Sequence, residues 1–299
     1  MTALFIRLLV LLFLFFNASA LYAETIMERF LKAGTGGSYE EPAAKELDKA
    51  GELFGDLFKG RLTDDAQIEW EKLNFNLVRI KEGGEEFILL EEKEAHKRGR
   101  GFYLFRQSNY KKLAIQSPHS IDDLYTGEIT MGMALEGRII SAAWNTVPRN
   151  FIHDAKSEGS DLAHLRESYF TAYARAFARA YPSGSLIQLH GFVKEERKNK
   201  TGSEPDMIVS SGSKVPGRRA EQIDRCLEQD VSGASSLYPL EIDELGGRTN
   251  ATGIALRKMG YNGFIHIEMS KPVRTLLKND KKVRTSFLGC IEGAAGDEK

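Results

Sequence analysis

The chain has 299 residues, 42% hydrophobic and 28% charged, with 41 Lys and Arg against 42 Asp and Glu and a formal net charge of -1. That is the composition of an ordinary soluble globular protein, and it lacks the basic excess of a nucleic-acid binder. The length is ample for a buried core and allows one large domain or two small ones.

Residues 1–23 read as a secretory signal peptide and not as part of the fold. Arg7 precedes a compact apolar run, Leu8–Phe16. The run is shorter than the roughly 20 residues a membrane span needs. Ala18-Ser19-Ala20 and Leu21-Tyr22-Ala23 are two candidate cleavage sites. Cleavage after Ala20 or Ala23 is expected to leave a periplasmic or secreted chain with no stable membrane span. The two cysteines, Cys226 and Cys290, do not form a C-x-x-C pair and are not a zinc-ligand pair. In an oxidising compartment they are candidates for one disulfide, though sequence leaves open whether they meet.

Residues 24–100 read as a helical and hairpin N-terminal extension. Ala43, Leu47, Ala50, Leu53 and Leu57 recur at helical spacing. Phe75–Ile80 and Phe87–Glu92 flank Glu82-Gly83-Gly84-Glu85, a hairpin signal. His96 lies among charges and fits a solvated loop. Residues 101–292 read as an α/β domain, and 293–299 as a tail. Gly101–Arg106, Leu113–Ile115, Arg138–Trp144, Ser185–Leu189, Asp206–Ser210 and Gly263–Met269 are strand-like. Asp161–Tyr181 predicts a helix, capped by Ser160 or Asp161 and ended by Pro182-Ser183-Gly184. Its aromatic face fits a core, and His164 in its first turn fits a structural role. The charged stretch Glu195–Gly202 reads as a loop. Helices are expected at Glu221–Gln229, Thr249–Met259 and Pro272–Lys278. Strands alternating with helices predict a mixed central sheet with helices on both faces.

Three strand ends carry polar chemistry. Leu113-Ala114-Ile115 leads into a turn holding His119, Asp122 and Asp123; His190 follows Leu186–Leu189; Glu268 ends an apolar run with His266 two residues before it. Ligand sites in α/β sheets lie at such ends. Two histidines, a carboxylate and a separate glutamate are the parts of a hydrolytic zinc site. Each has a plainer explanation. A histidine after a strand is usually structural, and Glu268 alternating with Ile265 and Ile267 also fits an edge strand's solvent face. His266 shares a face with Glu268 and is a rival ligand. Asn145 and Arg149, in the loop after Arg138–Trp144, are candidates for holding a substrate carboxylate or carbonyl.

The segments SPHSIDDLYTG, LIQLHGF and GFIHIEMSKPVR, in this order, resemble those of zinc-dependent amidohydrolases and carboxypeptidases, with the poly-γ-glutamate hydrolase and N-formylglutamate amidohydrolase branches as the nearest in pattern. The resemblance covers roughly Gly101–Leu277. It implies a zinc-exopeptidase-like α/β fold, zinc held by His119, His190 and an acid, and Glu268 as general base. Carboxypeptidase spacing points to Asp122 as the acid. The poly-γ-glutamate hydrolase pattern points to Asp123, before Thr126, which we favour. An aspartate stands where the family more often has glutamate. Arg274 is a further candidate for a substrate carboxylate. The implied activity is hydrolysis of a peptide or other amide bond, γ-glutamyl and cell-wall peptides included. A metal-free periplasmic binding or scaffolding protein on the same fold is the alternative. No G-x-S-x-G is present to support a nucleophilic hydrolase.

Overall fold

The apolar runs of this chain are of two kinds, and the difference decides where each strand lies. Phe75–Glu82 (β1) has mostly half-buried and exposed side chains, whereas Phe102–Arg106 (β3), Ile139–Trp144 (β5) and Phe264–Ser270 (β9) are buried at every position. Strands without an exposed face belong inside a sheet covered on both sides. The computed structural model, which describes residues 24–107, 110–151, 159–198, 204–231 and 233–295, has this arrangement. With Glu85–Glu92 (β2), Lys111–Ser117 (β4), Ser185–Phe192 (β6), Met207–Ser210 (β7) and Ser235–Leu237 (β8), the described residues form one nine-stranded sheet in the order β1-β2-β3-β5-β4-β6-β9-β7-β8.

Four central strands, β5, β4, β6 and β9, run parallel, flanked by antiparallel pairings of β3 with β5 and of β7 with β9. The chain passes from β4 to β5 on one side and later returns to place β6 on the other side of β4. The gap between β4 and β6 is therefore a topological switch point, where the C-terminal strand ends open a crevice. The hairpin β1–β2 is continuous with this sheet through β2 and β3.

Helices cover both faces. On one, Ile26–Ala33 (α1), Thr126–Glu136 (α4), Arg218–Asp230 (α6), Lys271–Asn279 (α8) and Lys281–Ala294 (α9) pack Phe30, Met131, Leu227, Leu277 and Ile291 against Leu89, Leu104 and Ile115. On the other, Ala44–Phe58 (α2), Asp64–Lys72 (α3), Tyr169–Ala180 (α5) and Ala251–Lys258 (α7) pack Phe54, Trp70, Tyr173 and Leu256 against Leu90, Tyr103 and Ala114. The expected mixed α/β architecture is thus the one found. No helix among the described residues is long and apolar enough to cross a membrane. The signal-peptide region 1–23, residues 199–202 of the charged loop and residues 296–299 of the tail lie outside the described residues.

Two of the boundaries that differ from expectation bear on the site. The helix expected over Asp161–Tyr181 begins at Tyr169, capped by the Ser168 side chain, which accepts from Thr171 N. Ser160 Oγ binds Pro148 O and Phe151 N, while Asp161 binds His119 and Arg149 and opens only a separate short turn, its Oδ1 accepting from Ala163 N and its backbone O from His164 N and Leu165 N. Strand β6 runs on to Phe192, so His190 lies within the strand and not after it.

Cys226 on α6 and Cys290 on α9 are joined by a disulfide, closing a loop with a sequence separation of 64 residues. By the chain-entropy argument, such a closure stabilises the folded chain by about 4 kcal/mol. The double variant Cys226→Ser, Cys290→Ser is expected to lose that order of stability in urea unfolding; a loss under ~1 kcal/mol would show that the crosslink adds little.

Candidate metal centre

The turn after β4 is built to hold two side chains on one side. Asp123 N donates to His119 O at 2.9 Å, a single helical turn that places residues i and i+4 together. Thr126 then closes the turn by donating from both its N and its Oγ1 to Asp123 O. As a result His119 Nδ1 lies 3.2 Å from Asp123 Oδ2. Asp122 points the other way, is exposed, and accepts from Arg149 N at 2.8 Å. Asp123, and not Asp122, is the carboxylate brought to the histidines.

His190 arrives from β6. Its Nδ1 lies 3.3 Å from His119 Nδ1 and 3.9 Å from Asp123 Oδ2. The parallel register of β6 and β9 sets Glu268 beside His190 and His266 beside Gln188. The His190 and His266 rings lie 4.4 Å apart, centroid to centroid, and His266 Nε2 is 3.6 Å from Glu268 Oε1. Backbone packs directly onto His266: a Cβ at Gly247, whose φ is +59°, would meet its ring at 2.6 Å. Only glycine fits there. His119, His190, His266 and Glu268 are all buried.

Outside these groups sit the partners that orient them. His119 Nε2 is 2.8 Å from Asp161 Oδ1, and Arg149 Nη2 donates to Asp161 Oδ2 at 2.7 Å. His190 Nε2 is 3.3 Å from Gln188 Oε1. The sequence places Asp161 at the start of a helix, and nothing in its neighbourhood marks it as a partner of a histidine 42 positions earlier. Carboxylate and amide partners behind imidazole ligands fix ring orientation and tautomer in metal sites.

The electrostatics follow from burial and these contacts. Burial opposes a charge on His119, but the hydrogen bonds to Asp123 and Asp161 outweigh it and push its pKa up to about 9. Asp161 feels the same pairing from the other side: burial raises it, yet His119 and Arg149 hold it down at about 2. His190 is driven well below its ordinary value by burial and by the neighbouring His266 and His119. Burial likewise holds His266 down at about 3. Glu268 moves the opposite way: burial first, and then the charge of Asp123, raise it to about 8. A carboxyl poised near neutrality beside a cavity can both take and return a proton.

The donor set suits a small divalent cation. His119 Nδ1, His190 Nδ1 and Asp123 Oδ2 form a triangle with sides of 3.2, 3.3 and 3.9 Å. Ligands on a tetrahedral zinc with bonds of ~2.0–2.1 Å sit roughly 3.3–3.4 Å apart. A second grouping, His190, His266 and Glu268, also brings potential ligand atoms together. In it, His266 Nδ1 and Glu268 Oε2 have no hydrogen-bond partner among the described residues.

These groups open onto a cavity of about 620 Å³ whose lining also includes Arg149, Arg197, Tyr238, Asp243 and Arg248; Arg149 Nη1 lies 3.4 Å from His119 Nδ1. Of the residues expected to bind substrate, Arg149 lines this cavity, and Asn145 and Arg274 do not. Asn145 is fully buried; its Oδ1 accepts from Val147 N and its backbone O from Ser120 Oγ. Arg274 lies behind Gly191, where a Cβ would meet its Cζ at 2.5 Å. Its guanidinium donates to Met269 O, Leu124 O and Phe192 O. Those bonds tie the turn after β4 to the ends of β6 and β9, so Arg274 holds the site together from behind.

No protein-family model matches the chain, and no curated protein matches it in sequence. Solved structures overlap it in part. YndL in a zinc-free form is 15% identical, covering 74% of this chain and 89% of its own, with a TM-score of 0.38. A candidate carboxypeptidase from Burkholderia mallei is 13% identical over 78% of this chain and 67% of its own, with a TM-score of 0.39. A candidate metallopeptidase from Shewanella baltica is 10% identical over 87% and 98%, also with a TM-score of 0.39.

Replacing Asp161 by Asn removes the charge behind His119. The His119 pKa in metal-free protein should then fall by ~1–3 units, read from its ring resonances in an NMR titration. A pKa that stays near 9 would show that Asp123 alone sustains it.

Proposed function

We propose that the protein is a zinc-dependent hydrolase of amide bonds, with the metal held by His119, Asp123 and His190 and with Glu268 as general base. The observation that carries this reading is the convergence of two imidazole Nδ1 atoms and one carboxylate oxygen at ligand spacing, with Glu268 beside His190 in the register of the sheet. A zinc ion there would acidify a water and polarise a substrate carbonyl. Glu268, buried and held near neutrality, takes the proton from the attacking water and passes it to the leaving amine. Asp161 keeps the His119 ring oriented. Arg149, one-third exposed and anchored on Asp161, presents its guanidinium to the cavity, where a substrate carbonyl or carboxylate would lie. The nearby cationic groups Arg197 and Arg248 suit an anionic peptide, and γ-glutamyl or cell-wall-derived peptides fall in that class. No second group within this set is arranged as a nucleophile, so the bond is cleaved in one displacement.

The sequence segments resembling the poly-γ-glutamate hydrolase and N-formylglutamate amidohydrolase branches support the same assignment, with Asp123 as the acid. Export is part of the proposal: the apolar run Leu8–Phe16 followed by small residues fits a leader removed after Ala20 or Ala23. The joined cysteines are consistent with an oxidising compartment.

The test is zinc content of the purified protein by mass spectrometry together with amidase activity on a panel of α- and γ-glutamyl peptides. Wild type is expected to bind about one zinc per chain; His119→Ala and His190→Ala should lose it. Glu268→Gln should keep the metal and lose activity by ~10²–10⁴-fold. Absence of zinc in wild type even after reconstitution would overturn the reading in favour of a metal-free binding protein.

Metal affinity should also depend on pH in a stated direction. His119 carries a proton below pH 9 in the free protein, and a metal must displace it. Affinity should therefore rise about tenfold per pH unit from 6 toward 9, one proton being released per ion bound. A chelator-competition titration giving a flat profile would contradict the assignment of His119 as ligand.

A further inference from the structure

Beneath His190 runs a chain of buried amides that the hydrolytic chemistry does not use. Gln116 Nε2 donates to Phe170 O at 3.2 Å. Gln188 Nε2 donates to Gln116 Oε1 at 2.9 Å. Asn250 Nδ2 donates to Gln188 Oε1 at 2.7 Å. Asn250 Oδ1 accepts from Gly253 N at 3.0 Å, where it caps α7. Gln116, Gln188 and Asn250 are all buried, at no more than 3% exposure.

An amide side chain has a donor end and an acceptor end, and which is which follows from its network. Here both ends of the chain are backbone groups that cannot be reversed. Phe170 offers only a carbonyl, so Gln116 must turn its NH₂ that way and its oxygen toward Gln188. Gly253 offers only an N–H, so Asn250 must turn its oxygen that way and its NH₂ toward Gln188. Both constraints independently demand the same orientation of Gln188, with its NH₂ toward Gln116 and its oxygen toward Asn250. That oxygen is also the group facing His190 Nε2 at 3.3 Å.

We propose that this amide chain, through Gln188 as a positioning residue, fixes His190 in the Nε2–H tautomer, so that only its Nδ1 lone pair is available to a cation. The functional consequence rests on the metallohydrolase reading; the tautomer itself does not. On the other side of the site, Asp161 does the equivalent for His119, since a carboxylate accepts and cannot donate to Nε2. Both rings therefore direct Nδ1 at Asp123 Oδ2. His190 has one lone pair to give, and it points to the His119–Asp123 side, 3.3 Å from His119 Nδ1.

Two variants test the inference. Gln188→Leu removes the acceptor outright. Asn250→Asp is the milder change: aspartate caps a helix as well as asparagine does, but it has no N–H for Gln188 Oε1. The Gln116 end still demands the wild-type orientation of Gln188, so His190 should keep the Nε2–H form in this variant. Long-range ¹H–¹⁵N spectra of the metal-free protein read the tautomer directly, and zinc affinity is read by chelator competition. In wild type, His190 should carry its proton on Nε2. In Gln188→Leu, the Nδ1–H form should appear and zinc binding should weaken by ~10–100-fold, the effect of losing a supporting partner behind a ligand. A wild-type His190 protonated on Nδ1, or a tautomer unchanged in Gln188→Leu, would overturn the inference. If wild type shows the Nε2–H form and yet takes up no zinc, the tautomer assignment stands and the metallohydrolase reading fails.

Discussion

The parallel register between β6 and β9 is the constraint on which the site depends. It sets Glu268 beside His190, and every other group is arranged around that pair. A slip of one residue in either strand would turn that strand's side chain to the opposite face of the sheet and separate the pair. Two devices oppose such a slip. Arg274 donates to carbonyls at the end of β9, the end of β6 and the turn after β4 at once. Gln188, the residue of β6 opposite His266, is tied to β4 through Gln116 and to the cap of α7 through Asn250. The strands that deliver the chemistry are thus held from behind by one cation and from beneath by an amide chain.

The burial that makes this precision attainable also sets the acid–base properties. Placing Glu268 and three histidines at the covered ends of parallel strands costs each of them its hydration. Where a partner of opposite charge is present, as Asp123 and Asp161 are for His119, the charged form survives. Where it is absent, as for His266 and Glu268, the neutral form is favoured. One fold therefore supplies a cluster that favours a bound positive charge next to a carboxyl that ionises near neutrality. That division between a charge-binding group and a proton-transferring group is the requirement for metal-assisted hydrolysis.

Much of this was legible in the sequence because it is local. Leu113–Gly127 announces a strand, a turn and a histidine four residues before an acid; His190 and Glu268 each follow an apolar run. The mixed sheet with helices on both faces follows from the alternation of strands and helices. What was not legible depends on groups distant in sequence. Asp161 sits ahead of a strong helical pattern and fits a cap, but its carboxylate binds His119 and Arg149, and the helix begins at Tyr169, capped by Ser168. Gln188 alternates with Ile187 and Leu189 and gives no sign of an amide chain until β4 is placed beside β6. Arg274 looked like a group free to meet substrate; its three carbonyl partners come from three separate segments, and only the folded chain brings them together. Whether Asp122 or Asp123 faces the histidines turned on one backbone hydrogen bond, Asp123 N to His119 O.

The most direct test of the account is anomalous diffraction at the zinc edge from crystals of the zinc-loaded protein. The account predicts one strong peak per chain, flanked by Nδ1 of His119, Nδ1 of His190 and a carboxylate oxygen of Asp123, with Glu268 beside it and not bonded to it. A peak held by His266 and Glu268, or none at full occupancy of the soak, would contradict it.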